Sequence, residues 1–142
     1  MKAYQAKQLP KHRGKAAWRD ILPPRQSAAP LTQDITADFA VIGAGFAGLS
    51  ATRRLTQLNP GAKIVVLEAG EIAEGASGRN SGFMIDLPHD LSSDDYAGQT
   101  QSSDLKMISL NRMAINFAKE AVEEYNINPA YFDLAGKVNG AG

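Results

Sequence analysis

Phe39-Ala40-Val41-Ile42-Gly43-Ala44-Gly45-Phe46-Ala47-Gly48 sets the architecture of this chain. Four apolar residues in unbroken succession, entered from Asp38 and stopped by glycine, form the pattern of a strand buried on both faces of a parallel sheet. A helix is expected to begin just after the glycines and run to about Leu58. On it Ala47, Ala51, Leu55 and Leu58 recur at spacings of three and four, which predicts the inward side. Arg53, Arg54 and Gln57 supply polar positions, and Asn59-Pro60-Gly61 stops the helix. A second apolar run, Ile64-Val65-Val66-Leu67, closes on Glu68. Strand, helix and strand within about thirty residues predict a right-handed βαβ unit and an α/β fold.

The residues Gly43 to Gly48 match G-x-G-x-x-G, and they stand where that motif has a mechanism: after a strand and at the opening of a helix. Gly43 permits the tight turn, Gly45 lets the backbone approach a pyrophosphate, and Gly48 lets helix and strand pack closely. The helix N-terminus offers free N–H groups and the positive end of its dipole to phosphates. Glu68 lies twenty residues beyond Gly48. A carboxylate there accepts hydrogen bonds from ribose hydroxyls and repels a 2′-phosphate. The glycines and the acid point to an adenine dinucleotide and fit NAD as well as FAD. The bland alternative is a structural turn followed by an ordinary surface glutamate.

Around this unit the chain divides into three parts. Residues 1–36 read as an irregular leader, broken by Pro10, Pro23-Pro24 and Pro30. Its only apolar cluster, Trp18 with Ile21 and Leu22, is expected to anchor it on a neighbouring surface. Residues 37–128 form the dinucleotide-binding portion. Within it Ala69 to about Thr100 is loop-like, and loops of that length are uncommon unless they bind something. A helix over about 104–126 follows, with Met107, Leu110, Ala114, Phe117, Ala121, Val122 and Tyr125 as its core-facing stripe. Residues 129–142 enter a β-rich region, with short strands expected at Ala130–Asp133 and Lys137–Asn139.

The loop carries the second motif. Gly75-Ala76-Ser77-Gly78-Arg79-Asn80-Ser81-Gly82 resembles the second flavin-contact motif of the D-amino-acid-oxidase-like superfamily, which includes glycine, sarcosine and γ-glutamylputrescine oxidases. The leader is similar as well, with Trp18 followed by Leu22-Pro23-Pro24 ahead of the first strand. So are the long helix and the segment from Phe132-Asp133 to Gly136-Lys137-Val138. The likeness covers most of the chain.

The resemblance implies an FAD-type Rossmann domain and a site placed residue by residue. The backbone of Gly43, Ala44, Gly45, Phe46, Ala47 and Gly48 would hold the pyrophosphate. Glu68, with Ala69 after it, would hold the adenosine ribose. Ser77, Gly78 and Arg79 would lie along the phosphate and ribityl stretch, and Asn80, Ser81 and Gly82 would approach the isoalloxazine ring. Ser81 stands where many relatives place glycine. The implied reaction is oxidation of an amine or amino acid by hydride transfer to the flavin, whose substrate-binding residues come from later sequence; no catalytic residue is therefore named. The chain is several-fold shorter than those enzymes. It is therefore expected to be a fragment or one polypeptide of a hetero-oligomer, with the remainder of the enzyme or a partner subunit completing the sheet. An NAD-dependent dehydrogenase domain and a non-catalytic dinucleotide-binding subunit are the alternatives.

Composition narrows the partners. Fifteen Lys and Arg balance fifteen Asp and Glu, so net charge gives no sign of nucleic acid. The absence of cysteine removes disulfides, thiolate catalysis, Cys-based zinc sites and Cys-linked flavin, and fits a cytoplasmic protein. No apolar run approaches the roughly 20 residues that span a bilayer. The basic N-terminus has no apolar segment behind it, so it reads as a solvated arm and not as a secretory signal. His12 and His89 lack the neighbours of a triad or metal site. Asp94-Asp95 and Glu123-Glu124 read as solvated faces, so no metal is expected.

Overall fold

The computed structural model describes residues 8, 11, 13–87 and 101–136. They fall into two compact units divided after Ser81. His12, His89, Asp94-Asp95 and the expected strand Lys137–Asn139 lie outside the described residues.

The first unit is the βαβ motif with the leader laid along it. Strands β1 (Phe39–Ile42) and β2 (Ile64–Leu67) have the bounds their apolar runs predict; helix α2 (Phe46–Leu58) ends where expected but begins inside the glycine motif, ahead of Gly48, and among the described residues of the leader Ala17–Asp20 forms one helical turn, α1. β1 and β2 pair in parallel, with Phe39 opposite Ile64 and Ile42 opposite Leu67. Both ends of the pair are pinned. Asp38 accepts the Lys63 N–H through its carboxylate at 2.8 Å and donates its own N–H to the Lys63 carbonyl at 2.9 Å. At the other end Gly43 donates to the Leu67 carbonyl at 2.7 Å, which carries the ladder one residue into the glycine turn.

Two expectations about burial change. β1 is covered on one face only: Phe39 and Val41 are half-buried, while Ala40 and Ile42 are open, Ile42 to 87 %. A two-stranded sheet with one crossover helix has cover for one face, and covering Ile42 would stabilise the fold by about 1.5–3 kcal/mol. Helix α2 is also rotated from the predicted orientation. Gly48, Thr52, Leu55 and Asn59 face inward, whereas Ala47, Ala51 and Leu58 are exposed. The cause is Gly48. A methyl group there would collide with the Gly43 carbonyl, so the hydrogen-bearing side of Gly48 is the one that can meet the turn. Arg53, expected as a polar position, is buried to 8 % exposure. After Leu58 the helix stops as its sequence predicts, with Asn59 donating from both backbone and side chain to the Leu55 carbonyl and Gly61 at a φ of +87°.

The second unit is built on α3 (Gln101–Glu124), a helix that begins a little before the periodicity predicts. Ile108, Asn111, Ile115, Phe117, Ala121 and Val122 are half-buried, while Met107, Leu110, Ala114 and Tyr125, expected to face a core, are exposed. Asp86 fixes the wetter flank, accepting from Arg112 at 2.9 Å through its carboxylate and from Asn111 at 3.2 Å through its carbonyl. The strand expected over Ala130–Asp133 is instead a 3-10 turn, Pro129–Tyr131. Asn128 caps it by accepting the Ala130 N–H at 3.0 Å, and proline at the first position supplies a helical φ.

Candidate dinucleotide cradle

The turn between β1 and α2 needs each of its three motif glycines for a different reason. Gly43 has a φ of +96°, a conformation that L side chains resist. Gly45 is the N-cap of α2, extended and without a capping side chain of its own. A Cβ on Gly45 would stand 2.7 Å from Ser77 Oγ. Gly48 packs where any Cβ would overlap the Gly43 backbone. Ala44, between the first two, is buried to 2 %.

Two acceptors from elsewhere in the chain close on this turn. Glu68, just past β2, accepts the Ala44 N–H at 2.7 Å through one carboxylate oxygen and the Gly70 N–H at 3.0 Å through the other. Ser77 Oγ accepts the Phe46 N–H, one of the donors that α2 leaves without an intrahelical partner, at 2.9 Å. A serine 31 positions away thus serves as the cap that Gly45 cannot provide. The first glycine motif, the acid and the second motif therefore meet at the C-terminal ends of the two strands, where open α/β sheets bind ligands.

The second motif is ordered by its own bonds. Ala76–Gly78 is a 3-10 turn, and the Asn80 amide donates to the carbonyls of Ser77 at 2.7 Å and Ala76 at 3.2 Å. Gly78 is buried, and a Cβ there would overlap the Ala73 carbonyl. Arg79 turns toward the leader, donating to the carbonyls of Arg13 and Gly14 and to Glu74. Ala69 and Ser81 are exposed, as are Phe46 and Ala47 at the start of α2. Gly82 belongs to the second unit and has a φ of +81°.

Sequence reasoning missed Glu74. Arg19 donates to its carboxylate at 2.9 Å and holds it ionised below the ordinary glutamate range; the Ala16 N–H and the Arg79 charge add to that effect, and desolvation opposes it. Glu71 and Glu74, three residues apart beyond Gly70, and the cations of the leader were visible as charges, but their pairing was not. Of the apolar cluster expected to anchor the leader, Trp18 does so through a polar bond, donating its indole N–H to the Asn80 carbonyl at 2.7 Å, while its ring, Ile21 and Leu22 are exposed.

The chemistry of this set fits a dinucleotide: N–H donors at a helix N-terminus, a hydroxyl beside them, a carboxylate at the strand end, and glycines where side chains would fill the approach. The family model for FAD dependent oxidoreductases matches residues 38–142. The chain belongs to the FAD dependent oxidoreductase family. Its cofactor is FAD, which decides between the two cofactors that the glycines and the acid leave open. Two curated relatives are oxidoreductases by name. The probable oxidoreductase OrdL of Haemophilus influenzae is 38 % identical over 99 residues, covering 69 % of this chain and 22 % of that protein. The gamma-glutamylputrescine oxidoreductase of Escherichia coli is 46 % identical over 55 residues, covering 39 % of this chain and 12 % of that protein. The chain thus spans 22 % and 12 % of the length of these two relatives. No solved structure shows a significant match. Among the described residues no helix is long and apolar enough to cross a membrane, and no cluster of acidic or imidazole side chains could hold a metal.

Proposed function

We infer that this chain supplies the adenine-dinucleotide half of the FAD site in an oxidoreductase that acts on an amine or amino acid. The observation that carries the reading is the seating of Ser77 Oγ on the Phe46 N–H, because it joins the flavin-type loop to the helix terminus that the glycine motif opens. In this reading the backbone from Gly43 to Gly48 receives the pyrophosphate. A hydroxyl that accepts from Phe46 keeps its own proton to donate, so Ser77 is suited to a phosphate oxygen. Glu68 orients the adenosine ribose while holding the turn through Ala44. Asn80, Ser81 and Gly82 lead toward the flavin ring. The chemistry that FAD supplies when bound is acceptance of a hydride from the carbon bearing the nitrogen. The protein groups named here bind and orient.

The amine or amino-acid substrate is supported by the similarity to the Escherichia coli gamma-glutamylputrescine oxidoreductase. The exposed Ile42 face supports completion of the sheet by the remainder of the enzyme or by a partner subunit. The test is anaerobic titration of the purified native assembly with a panel of amines and amino acids, followed by visible absorption. Bleaching of the flavin bands by a member of that panel is the expected result. Bound flavin that no amine or amino acid reduces, but another class of donor does, would overturn the substrate assignment.

A further inference from the structure

Outside the cradle, a polar cluster of the first unit joins the leader to the outer side of the Ser77 loop. Glu74 is its centre. One carboxylate oxygen accepts from the Ala16 N–H at 3.0 Å and from Arg79 Nη2 at 2.7 Å; the other accepts from Arg19 Nη1 at 2.9 Å. Arg19 extends to Glu71 at 3.3 Å. Arg79 adds bonds from Nε to the Glu74 carbonyl at 2.8 Å, from Nη1 to the Arg13 carbonyl at 3.2 Å and from Nη2 to the Gly14 carbonyl at 2.8 Å. Further along, Arg25 donates to the Ile72 carbonyl and Ser27 to the Glu71 carboxylate. Ala16 is fully buried, and its methyl lies where a Cβ on Gly78 would come within 2.9 Å.

These bonds tie leader residues 13–27 to residues 71–80, and the loop they grip carries only one 3-10 turn of regular structure. A loop held in its bound conformation before the ligand arrives binds more tightly, because ordering it no longer opposes association. We propose that the leader is a clasp that preorganises the Ser77 loop for FAD, with Glu74 as its positioning residue and Arg79 serving the cofactor through the clasp. The inference rests on the reading that this loop contacts FAD. The groups that Glu74 and Arg79 engage are carbonyls, one backbone N–H and the Arg19 guanidinium, all supplied by the chain itself, so the clasp closes without the cofactor.

The test measures the FAD dissociation constant of the full protein carrying Glu74→Ala, Glu74→Gln, Arg79→Gln, the Glu74→Ala/Arg79→Gln pair, or Trp18→Phe. Glu74→Ala is expected to weaken FAD about tenfold. Glu74→Gln, which keeps an acceptor for the Ala16 N–H, recovers part of that loss. The pair is no weaker than Glu74→Ala alone by more than about twofold, since residues acting through one network are non-additive. Trp18→Phe removes only the indole donor to Asn80 and weakens FAD severalfold, which answers the question should Glu74→Ala fail to fold. Wild-type affinity in Glu74→Ala or, should that variant not fold, in Trp18→Phe overturns the clasp and leaves the cradle intact. Full additivity of the pair also overturns it, because Arg79 would then contact the cofactor directly. A wild-type protein that binds no FAD overturns the cradle reading and the clasp together.

Discussion

Replacing Gly48 by alanine should separate α2 from the turn it packs against. The new methyl carbon would lie 2.9 Å from the Gly43 carbonyl carbon, closer still to its oxygen, and 3.5 Å from Val41 Cγ1. Ordinary contact begins near 3.4 Å, so the shift required exceeds about half an ångström. The obstacle is backbone, and no side-chain rotation relieves it. Overpacking of this kind costs about 1–3 kcal/mol, with a rigid neighbour at the upper end. Alanine regains up to about 1 kcal/mol of helix propensity over glycine. The net is a loss of about 2 kcal/mol, or about thirtyfold in the folding equilibrium. The assay is urea unfolding of Gly48→Ala beside Gly75→Ala, whose φ is −75° and whose Cβ would meet nothing within 4 Å. Gly75→Ala should stay within about 0.5 kcal/mol of wild type. Equal midpoints for the two variants would refute the reasoning that close approach, and not turn propensity, demands Gly48.

Gly45→Ala and Ser77→Ala should each cost about 1 kcal/mol, the first by displacing Ser77 Oγ and the second by leaving Phe46 uncapped. The double variant should cost little more than either, because only Ser77 Cβ, 3.6 Å away, then faces the new methyl; unfolding midpoints in a double-mutant cycle read this. Glu68→Ala removes the acceptor of the Ala44 and Gly70 N–H groups, so FAD affinity measured by fluorescence titration should fall at least about tenfold, with Glu68→Gln between. Glu74 titrates below the ordinary glutamate range in the folded chain, chiefly through the Arg19 hydrogen bond. The stability it contributes is therefore present above the ordinary glutamate range and lost as pH falls through that range to the lower folded value. Unfolding midpoints against pH should show an acid-side decline that is shallower in Glu74→Gln.

How much of this was legible in the sequence depends on the range of the interaction. β1, α2 and β2 follow from local runs and stops, and their bounds agree with the structure except that α2 begins inside the glycine motif, at Phe46. The rotation of α2 departs from expectation because apolar spacing singles out Ala47, Ala51 and Leu58, whereas its closest approach to the turn is made by a residue with no side chain, Gly48. The stripe of α3 departs in a similar way, since amphipathic spacing does not tell which of two adjacent faces meets a neighbour. Ala130 and Tyr131 were expected in a strand, but Asn128 and Pro129 immediately before them dictate a capped turn. In the site, Gly43, Gly45, Gly48, Glu68 and Ser77 were each identifiable, and the structure brings them to one place. Their mutual bonds were not, because Ser77 to Phe46 and Glu68 to Ala44 span 31 and 24 positions. The Glu74 bonds to Ala16 and Arg19 span 58 and 55, and no periodicity encodes them.

Whether FAD lies in the cradle formed by Gly45, the start of α2 and Ser77 is tested most directly by titrating FAD into the wild-type protein and into Gly45→Leu, followed by flavin fluorescence. A leucine Cβ 2.7 Å from Ser77 Oγ, with its branches beyond, fills the approach to the helix terminus. Wild type should bind saturably, and the variant should lose about a hundredfold or more in affinity. Equal FAD affinity in the two proteins would place the cofactor elsewhere.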